Sequence, residues 1–144
     1  MSKPDFVTAT ERYVEDIFGP GTGEKHLKFL ERIENPALRE QILRFHVMEA
    51  DTSLISREEN YLIGMCVLCA GKHYSTAGMF AKTLLHLGMS KAKLLEAVAR
   101  LSMWVGGLPS VEAAFVIQKA IADYEKFGVS SLAVWFPEAG TEHG

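Results

Sequence analysis

The residues able to do chemistry gather in one short stretch. Cys66 and Cys69 form a CxxC pair, and with His73 the run Cys66–His73 reads CxxCxxxH. A thiolate is a nucleophile and a metal ligand, so a CxxC in a reducing compartment is a redox or metal candidate. Two buried cysteines also serve as small hydrophobes of a core. On a helix, Cys66 and Cys69 share a face with Leu62 and Glu59. They sit in the last turns before Gly71, the helix end whose dipole opposes a thiolate, and their apolar neighbours oppose it further. A structural zinc wants four ligands, and one nearby histidine offers itself. His73 stands at the start of the next helix, where the dipole favours a neutral imidazole suited to general acid–base work. Lys72 beside it either binds a carboxylate or is simply solvated. Thr76 orients a ligand or caps. Tyr61 hydrogen-bonds a substrate oxygen or packs in the core. Phe80 has no proton chemistry and forms an apolar wall, and Trp104 is a pocket wall or a subunit contact. His86 reads as structural, and His26, His46 and His143 have no partner that the sequence identifies.

The elements that position these groups read as helices punctuated by Gly and Pro. Phe6–Phe18 ends at Gly19-Pro20-Gly21, and Glu24–Glu34 ends before Asn35-Pro36. Pro36 opens a third helix to about Glu49, with Leu38, Ile42, Phe45 and Met48 near a 3.6-residue period. Ser56-Arg57-Glu58-Glu59 is a capping box, followed by a very apolar helix to Ala70 that Gly71 breaks. Ser75–Leu87 ends at Gly88, a left-handed cap. Ser90 caps a helix with Leu94, Val98, Leu101 and Val105 on one stripe. Gly106-Gly107-Leu108-Pro109 is a break before Val111–Phe127, where Ala114, Ile117, Ile121 and Tyr124 point inward. The tail, residues 129–144, carries the apolar run Leu132-Ala133-Val134-Trp135-Phe136, which folds back on its own domain or lies across a partner subunit. Alternation of period two is missing, so the expected fold is all-α: a single-domain helical bundle of about 6–7 helices over residues 1–144.

Composition narrows the partners. With 48% hydrophobic and 23% charged residues, the chain has a globular rather than a disordered make-up. A formal charge of −3 and no basic patch argue against nucleic acid. The longest uncharged run, residues 60–71, is too short for a bilayer core of roughly 30 Å. The polar N-terminal stretch has no apolar signal region, which makes the cytoplasm the expected location. No cofactor is expected, because no glycine-rich phosphate loop of recognised spacing and no complete metal set is present.

From Ser56 to Ala122 the chain resembles the carboxymuconolactone decarboxylase family and its alkylhydroperoxidase D-like relatives. Arg57-Glu58 precedes the helix of Tyr61-Leu62-Ile63-Gly64-Met65. The helix Ala77–Leu87 ends in Gly88-Met89-Ser90, like the family's Gly-Leu-Thr turn. Leu94-Leu95-Glu96-Ala97-Val98 follows at the usual offset, and Trp104-Val105-Gly106-Gly107-Leu108-Pro109 is similar to the family's Tyr-Ala-Gly-Phe-Pro. The resemblance implies an all-α bundle that assembles with its own copies into trimers or hexamers, with sites among the helices near subunit contacts. Members include decarboxylases acting on a lactone acid and thiol peroxidases using a CxxC. In the gapless register, Tyr61 stands at the peroxidase glutamate's place, His73 and Thr76 at the two cysteines' places, and Phe80 at the last histidine's place. In a second register Cys66, Cys69 and His73 are themselves the peroxidase motif, seven residues early, with Leu54 where the glutamate would be.

Three functions follow as expectations. The first is a small-molecule enzyme acting on an organic acid or lactone. His73 is then the acid/base, Tyr61 and Thr76 hydrogen-bond donors, Lys72 a carboxylate partner, and Phe80 and Trp104 walls. The second is thiol peroxidase chemistry through Cys66 and Cys69 assisted by His73. The third is a non-catalytic ligand-binding or assembly protein on the same scaffold.

Overall fold

The computed structural model describes residues 3–50, 54–128 and 131. These residues form seven α-helices and no strand, as the apolar periodicity leads one to expect. The tail run Leu132–Phe136 and His143 lie outside the described residues. The chain falls into two compact units, the first containing α1 to α3 and the second α4 to α7.

In the first unit, α1 (Lys3–Phe18) turns through Gly19-Pro20-Gly21 into α2 (Thr22–Glu31). Helix α2 starts two residues before the expected Glu24 because α1 supplies its cap. The Glu15 carboxylate accepts hydrogen bonds from the Gly21 and Gly23 amides at 2.8 and 3.1 Å. An anion at the positive end of a helix satisfies orphan donors and complements the dipole. The hairpin is close because position 23 is glycine: a Cβ there would lie 2.5 Å from the Glu11 carbonyl oxygen. Tyr13, Val14, Ile17, Phe18 and Leu30 fill the interior. Helix α3 (Pro36–Ala50) opens with the Asn35 side chain accepting from the Leu38 amide. Its 3.6-residue stripe is not a core stripe, since Leu38, Phe45 and Met48 are exposed and Ile42 is only partly covered.

The second unit is built on α4 (Arg57–Ala70), α5 (Tyr74–His86), α6 (Lys91–Val105) and α7 (Gly107–Phe127). The capping box is formed: Ser56 accepts from the Glu59 amide at 3.1 Å, and Glu59 accepts from the Ser56 amide at 2.8 Å. Tyr61, Met65 and Cys69 of α4 pack inward with Leu84, Leu94, Val98 and Ile117 of the other helices. Helix α5 runs back along α4, with Phe80 facing Gly64; a Cβ on Gly64 would sit 2.7 Å from that ring. Helices α5 and α7 run side by side in the same direction. Tyr74 meets Glu112, Gly78 faces Ala120, and Lys82 meets Asp123, in the same order along both helices. Helix α6 runs against α7, so that Lys91 at its start pairs with Glu125 near the end of α7 at 3.2 Å.

The break expected before Val111 is instead a corner of one residue. Gly106, at φ 87°, is both the C-cap of α6 and the N-cap of α7. Pro109 falls in the first turn of α7, where a missing N–H costs nothing, so the helix absorbs it.

Candidate functional site

Two similar turns end α4 and α5, and their difference shapes the candidate site. At the end of α5, the Met89 amide bonds the Leu84 carbonyl and the Gly88 amide the Leu85 carbonyl, with Gly88 left-handed at φ 99° as expected. At the end of α4, the His73 amide bonds the Leu68 carbonyl at 2.8 Å and the Lys72 amide the Cys69 carbonyl at 3.1 Å. Here the left-handed residue is Lys72, at φ 61°, while Gly71, which breaks the helix, keeps a negative φ of −82°. Lys72 is the one non-glycine with positive φ among the described residues. A side chain in that region costs about 1 kcal/mol or more, and such strain tends to concentrate at functional sites. The turn aims His73. Its ring folds back over Gly71, where a Cβ would come within 3.0 Å of the His73 Cδ2.

His73 is exposed and stands at the N-cap of α5 without a side-chain capping bond. The next residue, Tyr74, donates its phenol hydrogen to Glu112 of α7 at 2.8 Å. That bond, with the Glu112 charge behind it, holds the Tyr74 pKa above the ordinary phenol value, and the nearby Cys69 adds to the upward push. Cys69 is buried and Cys66 partly so, both as free thiols. Burial pushes the Cys66 thiol up, and burial followed by the Cys66 neighbour pushes Cys69 up to about 11. Both shifts oppose the thiolate that a reactive cysteine needs. The buried Ser110 hydroxyl, in the first turns of α7, has no hydrogen-bond partner among the described residues.

The candidates divide into two groups. Cys66, Cys69, Lys72, His73 and Thr76 cluster where α4 ends and α5 begins. Tyr61 lies near the start of α4, about two and a half helical turns before the end of that helix. There it is buried, its ring centroid 4.7 Å from that of Phe80. Tyr61 and Phe80 are thus a packing pair, with Gly64 making room for the Phe80 ring. Trp104 is 82% exposed at the end of α6, so its ring faces water and walls no enclosed cavity. Sequence spacing gives no sign that Tyr74 and Glu112 pair. They are 38 residues apart, and only the parallel packing of α5 on α7 joins them. No group of three or more His, Cys, Asp or Glu side chains able to hold a metal ion occurs among the described residues. No helix of the described residues is long and apolar enough to cross a membrane. The chain matches no family model, no curated protein and no solved structure.

Proposed function

We propose that the protein is a carboxymuconolactone decarboxylase-like helical protein that takes a small organic acid or lactone at the α4–α5–α7 end of its second unit. It works there by proton transfer and not by thiol chemistry. The observation that carries this reading is the Tyr74–Glu112 hydrogen bond of 2.8 Å next to the exposed His73 and Lys72, beside thiols that burial pushes up, Cys69 to about 11. Beside these sulfurs stand groups that exchange protons or bind oxygen: the exposed His73 and Glu112 and the partly exposed Tyr74. In this scheme His73 is the acid/base and the Tyr74 phenol, polarised by Glu112, is the hydrogen-bond donor to the substrate. Lys72, held exposed in its strained turn, attracts the carboxylate. Thr76, in the first turn of α5, lines the approach. The thiol peroxidase reading is left with the CxxCxxxH spacing alone.

The same reading includes self-assembly. Met103, Trp104, Leu108, Val111 and Phe115 are exposed on the α6–α7 corner and the outer face of α7. A water-facing apolar set of this size is a liability unless another surface covers it. A second copy of the chain is the proposed cover, in the trimeric or hexameric arrangement that the resemblance implies.

The test is binding and turnover of small unsaturated lactone acids by the wild type, His73→Ala and Cys66→Ser/Cys69→Ser. The reading expects the double serine variant to keep both properties and His73→Ala to lose roughly a hundredfold or more in turnover. A two-proton mass loss on mild peroxide treatment, with activity lost in the serine variant, would put the peroxidase reading in its place.

A further inference from the structure

The helices of the first unit meet at two histidines. His26 of α2 is buried, and its Nε2 lies 2.8 Å from the Nε2 of His46 on α3. The rings meet edge-on, with centroids 4.7 Å apart and planes at 73°. Tyr13 of α1 stands 6.0 Å from the His46 ring, and Phe29 stacks on His26 at 6.4 Å. Two ring nitrogens at this separation share one hydrogen: one donates N–H and the other accepts with its lone pair. With neither ring charged, or with one charged, the bond survives. With both charged, two N–H groups point at each other and two positive charges face across one contact. Burial of His26, then the His46 charge, holds His26 down to about 4.

Among the described residues, Tyr13 of α1 faces His46, and Glu11 and Glu15 of α1 lie against Gly23 at the start of α2, three residues before His26; Glu15 is occupied by the Gly21 and Gly23 amides. On α2, Glu24 and Lys28 pair with each other on the exposed face at 2.7 Å. A further polar tie between α3 and α1 is the Thr10 hydroxyl donating to the Leu43 carbonyl at a long 3.4 Å. Between the same three helices runs an apolar groove of about 540 Å³, lined by Phe6, Val7, Leu27, Leu30, Pro36 and Leu43 among others.

We propose that His26 and His46 form a proton-sensitive latch, which closes α3 onto the α1–α2 hairpin while at least one ring is neutral and releases α3 when both are charged. Release opens the groove between the three helices. The device depends only on residues of the first unit and stands or falls independently of the chemistry assigned to the second.

Hydrogen exchange of the full chain across pH 7.5 to 4.5, corrected for the intrinsic exchange rate, tests it. Backbone protection around Ile42–His46 is expected to fall relative to α4–α7, by up to about tenfold per pH unit below 6.5, because the open form binds one more proton than the closed form. His26→Gln keeps a hydrogen-bonding side chain and removes the buried group that takes up the extra proton on opening, so its protection is expected to stay flat over the same range. His46→Gln removes the facing charge but leaves His26 buried, so its fall is expected to be smaller than that of the wild type. Flat protection in the wild type, a fall that persists in His26→Gln, or a fall in His46→Gln equal to the wild type's overturns the latch.

Discussion

Cys69 and Lys72 set the chemical character of the candidate site one residue at a time. A thiol at about 11 has roughly a hundredth of the thiolate of one at the ordinary 9.0, since each pH unit is a factor of ten. Native Cys69 is therefore expected to react with a thiol reagent at neutral pH about a hundredfold more slowly than in urea-unfolded chain, as timed absorbance assays would show. Equal rates in the two states would mean that burial does not govern the sulfur. The same shift has a stability consequence with a definite sign. The folded state keeps a proton that the unfolded state gives up above pH 9, so this contribution is fully present below 9 and is lost as pH rises toward 11. Cys69→Ala should remove that part of the alkaline decline, visible as a shallower fall of urea midpoint between pH 9 and 10.5. Lys72 carries the opposite kind of information. Lys72→Gly relieves the left-handed strain and should raise unfolding free energy by about 0.5–1 kcal/mol in urea titrations. If the strain serves the site, that gain comes with weaker carboxylate binding.

Helix packing depends on a few close approaches, and these are where substitution tells most. Gly64→Ala drives a Cβ to 2.7 Å from the Phe80 ring. A loss of about 1–3 kcal/mol is expected, recovered in part by Phe80→Leu. Denaturant midpoints of the single and double variants check this, and additive losses would contradict it. Local signals of this kind were open to reading in advance. The Ser56–Glu59 capping box lies within four residues, and Gly88 announces a left-handed cap by its type alone. The all-α architecture followed from the same local periodicity. Signals that need a neighbour were not readable. Helix α2 begins early because Glu15 reaches across from α1, and α7 begins early because Pro109 fits a first turn already started at Gly107. The apolar positions of α3 repeat at helical spacing, yet repetition does not say which face meets a partner, and Leu38 and Phe45 stay exposed. At the site, spacing alone puts Cys66, Cys69 and His73 in one neighbourhood, since one helix end and one turn hold all three. The family register sets Tyr61 beside them, but the rise along α4 carries it to the other end of that helix. Tyr74 gives no signal in the sequence because its partner Glu112 lies two helices away.

At the scale of the whole molecule, the proposed self-assembly rests on apolar side chains that face water. The exposed set Trp104, Leu108 and Phe115 predicts self-association insensitive to salt, because no charge pair carries it. Light scattering after gel filtration should show an oligomer at low and high salt alike, and Leu108→Glu/Phe115→Glu should shift it toward the monomer. A monomeric wild type at tens of micromolar would remove self-assembly from the proposed function. Lastly, the corner at Gly106 has the look of a loop, with two glycines, a proline and no charge between Arg100 and Glu112. One residue makes the whole turn, and helix begins again at once. A protease needs several residues of extended chain in its cleft, and this corner has none to give. Chain cuts, circular permutation or an inserted tag at Gly106 should therefore be poorly tolerated, despite a composition that invites all three.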